Sequence, residues 1–227
     1  MAQIHETDLT SKDLILAFER LSARVKTTFP KILPLEVFTI GGAMIVILLG
    51  TRPTTHDVDV SGKLLEARYS KEYPNIKKMF MELCGQTFTE LKGENVDLGS
   101  DQWLNYAADM FLPSGLFRNP NSGLIIGAQM IEKAMEDNIV LFENDSLLVR
   151  SISFAQTIFQ KLKRFARNDP NDIRAIVSHL VGKSKLQRGT PEAVLEYLNK
   201  NVLEGRREIQ AKEKLFNQRL AVALSNQ

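Results

Sequence analysis

Asp57 and Asp59 stand one residue apart in "HDVDV" (56–60), with Val58 and Val60 as the alternate positions. Side chains alternate across a strand, so the aspartates would share one face and the valines the other. Two carboxylates a few ångströms apart repel each other unless a cation sits between them. Hard divalent ions such as Mg²⁺ take oxygen ligands of this kind and share them with substrate phosphates. The plain alternative is an edge strand with two solvated acids. Upstream, Gly41-Gly42 separates the strand-forming "EVFTI" (36–40) from the apolar run "AMIVILLG" (43–50). A glycine pair between a strand and a helix lets the backbone approach a phosphate, with helix N-terminal amides aimed at it; otherwise it is a tight turn. The order is informative: strand, Gly-Gly, helix, Arg52-x-Thr, then Asp-x-Asp. It sets a phosphate-gripping turn and a metal-gripping pair at the ends of neighbouring strands.

The surrounding elements must position these groups. Leu14, Ile15, Phe18, Leu21 and Val25 recur at helical spacing, Thr10 or Ser11 can cap the start, and Pro30 and Pro34 close the element. "AMIVILLG" reads as a buried helix ending at Gly50, with a strand as the rival because of its β-branched residues. "GKLLEARYSKEY" (62–73) reads as helix or irregular chain, and "NIKKMFMELCGQTF" (75–88) as an amphipathic helix. "ENVDLGS" (94–100) reads as a short strand, and Ser100 or Asp101 can cap a helix over "DQWLNYAADMFL" (101–112). Residues 113–123 read as a loop, "AQMIEKAMED" (128–137) as a short helix, and "IVLFENDSLLVRSI" (139–152) as two strands around an Asn-Asp turn. From Ser153 the pattern stays helical: "SFAQTIFQKLKRFAR" (153–167), then a helix capped by Asp169 with Pro170 first, then one opened by Thr190-Pro191, then a polar final helix. Lys161, Arg164 and Arg167 fall at successive three-residue steps, which makes one side of their helix basic.

The pattern Gly-Gly, helix, Asp-x-Asp resembles that of the polymerase-β-like nucleotidyltransferase superfamily. The form "GGAMIVILLGTRPTTHDVDV" (41–60) is similar to its small branch related to the nucleotidyltransferase toxins of abortive-infection systems. "DQWLN" (101–105) resembles a Trp-Leu-Asn stretch of that branch, and residues 147–177 resemble its later segment: a strand, a helix with Lys and Arg, then an Asp-x-x-Asp helix start. The resemblance spans roughly residues 36–180. It implies an α+β fold, a small mixed β-sheet with flanking helices followed by a helical C-terminal part. It also implies that Asp57 and Asp59 hold Mg²⁺ or Mn²⁺ against a nucleoside triphosphate, and that Gly41 and Gly42 present amides to the β- and γ-phosphates. An acceptor hydroxyl would then attack the α-phosphate and release pyrophosphate. A third carboxylate from a later strand is expected; Asp97 is the candidate, with Asp101 behind it. Arg52 would orient the acids or touch phosphate. Lys161, Arg164 and Arg167 are candidates for phosphate contacts, Lys161 and Arg167 the better two, with a solvated helix face as the ordinary alternative. Thr55-His56 stands where the branch commonly has a lysine before the first aspartate. Asp169 and Asp172 have an ordinary alternative as helix-start acids. Trp103 is expected to fill the seam between the two parts, with base stacking as the rival role.

The 227 residues are 44% hydrophobic and 25% charged, with a net charge of +2, ordinary for a folded chain and too small to mark a nucleic-acid or membrane-surface binder. One cysteine, Cys84, and three dispersed histidines exclude a Cys-rich zinc site and disfavour a His-based one. No signal pattern opens the chain and no apolar run could span a bilayer, so a cytoplasmic or nuclear protein without a membrane partner is expected. The composition shifts near residue 150, dividing the chain into an α/β core with an N-terminal helix (1–150) and a helical part packing on it (151–227). The acceptor is open among a protein hydroxyl, a small molecule and an RNA end. A second copy of the chain is a candidate partner through the last helix. A catalytically silent binding module of the same fold is the rival function. An Asp-x-Asp glycosyltransferase is disfavoured, because no full nucleotide-binding α/β unit precedes the pair.

Overall fold

The computed structural model describes residues 8–111, 117–118, 125–126, 129–202 and 205–225. It is a mixed α+β protein. Its chain divides into two compact units: Met1–Ala128 with Asn138–Ser151, and Gln129–Asp137 with Ile152–Gln227.

The first unit opens with strand β1 (Leu9–Thr10) and helix α1 (Ser11–Thr28). Thr10 caps α1: its hydroxyl accepts from the Asp13 amide at 3.3 Å, and the Asp13 carboxylate accepts from the Thr10 amide at 2.9 Å. Strand β2 (Leu35–Ile40) is buried along its whole length. After Gly41 the chain winds into α2 (Gly42–Met44), continues through a wider π-type turn (Ile45–Leu49) and stops at Gly50 in the left-handed conformation. Short strands β3 (Thr54–Thr55) and β4 (Val58–Val60) follow, then α3 (Gly62–Tyr69) and α4 (Ile76–Gly93). Further on come β5 (Leu104–Asn105), a 3₁₀ turn (Ala107–Phe111), and the pair β6 (Phe117–Arg118) and β7 (Ile125–Ile126). The rest of the loop expected over 113–123 lies outside the described residues. After α5 (Gln129–Asp137), which belongs to the second unit, β8 (Val140–Glu143) and β9 (Leu147–Ser151) complete a five-stranded sheet. Its order is β5-β4-β2-β9-β8. β2 runs antiparallel to β4 and parallel to β9, β4 parallel to β5, and β9 antiparallel to β8.

Helices α1 and α4 pack together over this sheet, and Trp103 joins them to it. The indole is 1% exposed, its ring lies 5.9 Å from that of Phe18, and its N–H donates to the Cys84 carbonyl at 3.2 Å. It therefore belongs to the core of the first unit rather than to a seam, and its burial leaves no face for a base. Cys84 is buried beside it, which pushes its thiol well above its ordinary value and marks it as a packing residue.

Two sequence expectations fail here. Residues 94–100 form no strand: Asn95 and Gly99 adopt φ of +64° and +79°, and the Asp97 carboxylate accepts from the Gly99 amide at 2.8 Å, a local turn. The strand comes later, where a helix was expected. The Val58 amide donates to the Trp103 carbonyl at 2.8 Å, and this pairing draws residues 104–105 into the sheet. Long-range hydrogen bonds override the local helical pattern.

The second unit contains α5, α6 (Phe154–Arg164), α7 (Asp169–Gly182), α8 (Pro191–Asn201), α9 (Arg206–Ala211) and α10 (Glu213–Leu224). Ser153 and Thr190 cap α6 and α8 by accepting from Gln156 and Ala193 amides. α6 is shorter than its pattern suggested, because Phe165 turns left-handed at φ +53°. The expected single polar end helix is two helices, and Ile209, Phe216 and Leu220 are buried along them. Among the described residues no helix is long and apolar enough to cross a membrane.

Candidate active site

β4 alternates as its sequence dictates. Val58 and Val60 are fully buried, whereas Asp57 and Asp59 are half-buried on the opposite face. Asp59 is registered with Ile40 of β2 on one side and Asn105 of β5 on the other. β2 ends one residue later in the glycine turn, so the acids and the turn meet at one corner of the sheet. Gly41 has φ +98° and ψ −128°, a conformation that essentially only glycine adopts without strain. A Cβ there would lie 3.7 Å from Asp59 Oδ2.

Gly42 is held by space rather than by dihedral angle. A Cβ on it would collide with the guanidinium of Arg52 and with Thr55 Oγ1. The Arg52 Nε–H donates to the Thr54 carbonyl at 2.8 Å, which folds the arginine back over the turn. The buried Thr55 hydroxyl donates to the Asp57 carbonyl at 3.3 Å and ties β3 to the start of β4. Arg52, expected near the acids, thus packs directly against the glycine pair. Gly42→Ala should push its guanidinium off the turn, and it should also crowd the buried Thr55 hydroxyl, which has less room to move. If the corner takes a triphosphate, as the resemblance implies, the expected result is a clear loss of that affinity by calorimetry beside a moderate fall in melting temperature. A melting temperature that collapses would assign the glycine to folding alone.

Asn105 is the residue that sequence reasoning missed. Its Nδ2 donates to Asp57 Oδ2 at 3.0 Å and its Oδ1 accepts from the Ala107 amide at 2.7 Å. The amide is therefore locked, and it orients the first aspartate. "DQWLN" drew notice as a segment, but its asparagine could be placed only once residues 104–105 were known to pair with β4. Asp97, the expected third carboxylate, stands on no strand. It sits exposed in the turn before Trp103, with one oxygen on the Gly99 amide. Asp101 is exposed in the same connection. Among the described residues no three His, Cys, Asp or Glu side chains converge as a metal-binding group. His56 is half-exposed, with Nδ1 3.5 Å from Asp8 Oδ1.

No family model, curated protein or solved structure matches this chain.

The basic residues expected on α6 form a cluster of their own in the second unit. Lys161 is 4% exposed, and its ammonium lies 3.2 Å from Asp169 Oδ1 and 2.6 Å from Asp172 Oδ2. Arg164 meets both oxygens of Asp169, at 3.0 and 2.8 Å. The Ala166 amide also donates to Asp169 Oδ2, at 2.7 Å. Lys161 is thus a buried cation neutralised by two buried acids, not a cation presented to a phosphate. Asp169 is the first residue of α7 rather than its cap, and its side chain points back to α6. Burial alone would raise the pKa of its carboxyl, but the Arg164 hydrogen bonds, the Lys161 charge and the Ala166 amide together hold it below the ordinary range. Arg167 is exposed, and it lies beyond the end of α6 rather than on a continuous basic face with Lys161.

The donor set at β4 suits a hard divalent ion in one respect. Mg²⁺ is commonly held by one or two carboxylates while substrate phosphates and waters complete its shell. Asp57 and Asp59 supply two such carboxylates, and Asn105 fixes the orientation of one. Asn105 itself spends its oxygen on the backbone.

Proposed function

We propose that the first unit carries a metal-dependent nucleotidyltransferase site, which moves a nucleoside monophosphate from a triphosphate to an acceptor hydroxyl. The observation that carries this reading is the corner shared by Gly41, Gly42, Arg52, Asp57 and Asp59, in which the glycine turn lies against Asp59. The resemblance of residues 41–60 to the Gly-Gly…Asp-x-Asp branch supports it. Asp57 and Asp59 would hold the divalent ion, Mg²⁺ or Mn²⁺. When bound, that ion supplies charge neutralisation on the phosphates. The open backbone of the turn admits the phosphates closely, and Arg52 adds a fixed positive charge beside it. Asn105 keeps the Asp57 carboxylate in one orientation. The acceptor oxygen forms a bond to the α-phosphorus as the bond to the bridging oxygen breaks; the hydroxyl proton leaves to water and pyrophosphate departs. Positioning and electrostatics account for most of the acceleration in such a reaction.

The test is pyrophosphate release from each of the four NTPs with Mg²⁺ or Mn²⁺, in the presence of protein, RNA and small-molecule acceptors. Calorimetry gives a companion expectation. NTP affinity should rise at least about tenfold when the divalent ion is present, because the phosphates complete the coordination. Equal affinity with and without metal would count against the pair as a metal site.

A second reading has its own observation. Beside Asp59 stands the amide Asn105 where a third carboxylate would be expected, and Asp97 is turned to its own backbone. A nucleotide-binding module without turnover fits that arrangement. Metal-coupled NTP binding without pyrophosphate release for any acceptor would select it.

A further inference from the structure

The second unit contains a cavity of about 450 Å³ between α5, the α7–α8 connection and α8. That volume lies within the range of small-molecule sites. Asp137, the last residue of α5, lines it with its side chain only 9% exposed. One carboxylate oxygen is served: Oδ1 lies 3.2 Å from the Lys133 ammonium. The other, Oδ2, is buried without a hydrogen-bond partner among the described residues. A buried carboxylate oxygen left unpaired is costly, so its presence on a residue of the cavity lining marks a place for a donor.

The rest of the lining gives the donor a context. Burial, and then the charge of Asp137, push the Tyr197 phenol far above its ordinary value, so it remains a protonated donor beside the acid. Lys185 and Lys200 are exposed and line the same cavity, with Glu196 as the second acid. Three lysines against two acids leave the lining with a positive excess. This set does not favour a simple cation, which the lysines would repel. It equally does not favour a simple anion, which would leave Asp137 Oδ2 unserved.

We propose that this cavity binds a small organic anion that also carries an amino or hydroxyl donor, the donor meeting Asp137 Oδ2 and the anionic group meeting Lys185 and Lys200. The site is independent of the β4 corner. Carboxylate and phosphate are two sources of the same anionic chemistry, and separate probes distinguish them.

The experiment follows the Ala193 methyl, which lines the cavity, by NMR in the full chain during titration. The probes are L-glutamate and glycerol 3-phosphate, which carry both groups, glutarate, which lacks the donor, and 1,5-diaminopentane, which lacks the anion. At least one of the first two should give a saturating shift, and the stronger of them defines the anion. Glutarate and diaminopentane should bind at least tenfold more weakly. Asp137→Asn and the double variant Lys185→Ala/Lys200→Ala should each weaken the favoured probe at least tenfold. Should Asp137→Asn fail to fold, the lysine variant, which alters only exposed side chains, decides. Glutarate or diaminopentane binding as tightly as the favoured probe overturns the proposal. So does the absence of saturation with every probe, which would leave Asp137 Oδ2 to a buried water.

Discussion

Asp57→Asn and Asp59→Asn should each lower nucleotidyl transfer about a thousandfold or more, while the melting temperature measured without metal stays near that of the native protein. The side chains keep their shape and lose the charge that would hold a divalent ion. Metal stabilisation of a phosphoryl transition state amounts to several kcal/mol, and each ~1.4 kcal/mol is a factor of ten in rate. The fold gives little reason for a stability loss. Both side chains are half-buried opposite the valines that fill the core. An asparagine at 57 can still accept from Asn105 Nδ2, which now donates at 3.0 Å. Removing one of two neighbouring negative charges also relieves repulsion when no ion is bound. Asp97→Asn is the internal control: its carboxylate serves the Gly99 amide, so transfer should change less than about threefold, the rate equivalent of roughly 0.7 kcal/mol. The measurement is incorporation of labelled NTPs, with melting curves in parallel. Activity that survives in both Asp57→Asn and Asp59→Asn removes the metal-site assignment, and a sharp fall in both melting temperatures reassigns the pair to folding.

Lys161→Met should be strongly destabilising, with a loss of about 3–5 kcal/mol, the usual cost of removing one partner from a buried ion cluster. Lys161, Asp169 and Asp172 are all nearly inaccessible, and methionine leaves the two acids without the cation between them. Asp169 keeps Arg164 and the Ala166 amide, whereas Asp172 loses its 2.6 Å contact with the ammonium. The double variant Lys161→Met/Asp172→Asn should recover most of the loss. The pH dependence follows from the sign of the shift at Asp169. Its folded-state pKa is lowered, so its stabilisation is fully present above the unfolded value of about 3.9 and is lost as pH falls through the lower folded value. Lys161→Met removes one cause of that lowering, so the stability contributed by Asp169 should begin to fade at a higher pH in the variant than in wild type. Hydrogen exchange of α6 and α7 amides with urea melts would read these differences. A loss under about 1 kcal/mol for Lys161→Met would show that the cluster is not what fixes α7 to α6.

Much of the candidate site was legible because it is local. Alternation along β4 needs only the order Asp-Val-Asp-Val, and a positive φ at Gly41 needs only a residue without a Cβ. The capping box at Thr10 and the cap at Thr190 are likewise settled within four residues. Even the buried run after Gly42 could be read as a helix, although its π-type winding could not.

What the sequence by itself determined, then, is the set of elements whose causes lie within a turn or two of chain: the glycine corner, the two aspartates, and the change to a helical second unit. The tertiary structure alone decided which distant groups those elements meet. Residues 104–105 became a strand, and Asn105 rather than Asp97 the neighbour of the pair, because β4 offered hydrogen bonds that local propensity could not anticipate. Trp103 became core because Phe18 and Cys84 arrive from two other helices. Lys161 became a buried ion rather than a phosphate contact because α7 returns Asp169 and Asp172 to it across the left-handed turn at Phe165. A charge on a helix face looks the same in sequence whether solvent or another helix covers it; only the packing sets its solvation, and solvation sets whether it can serve a ligand.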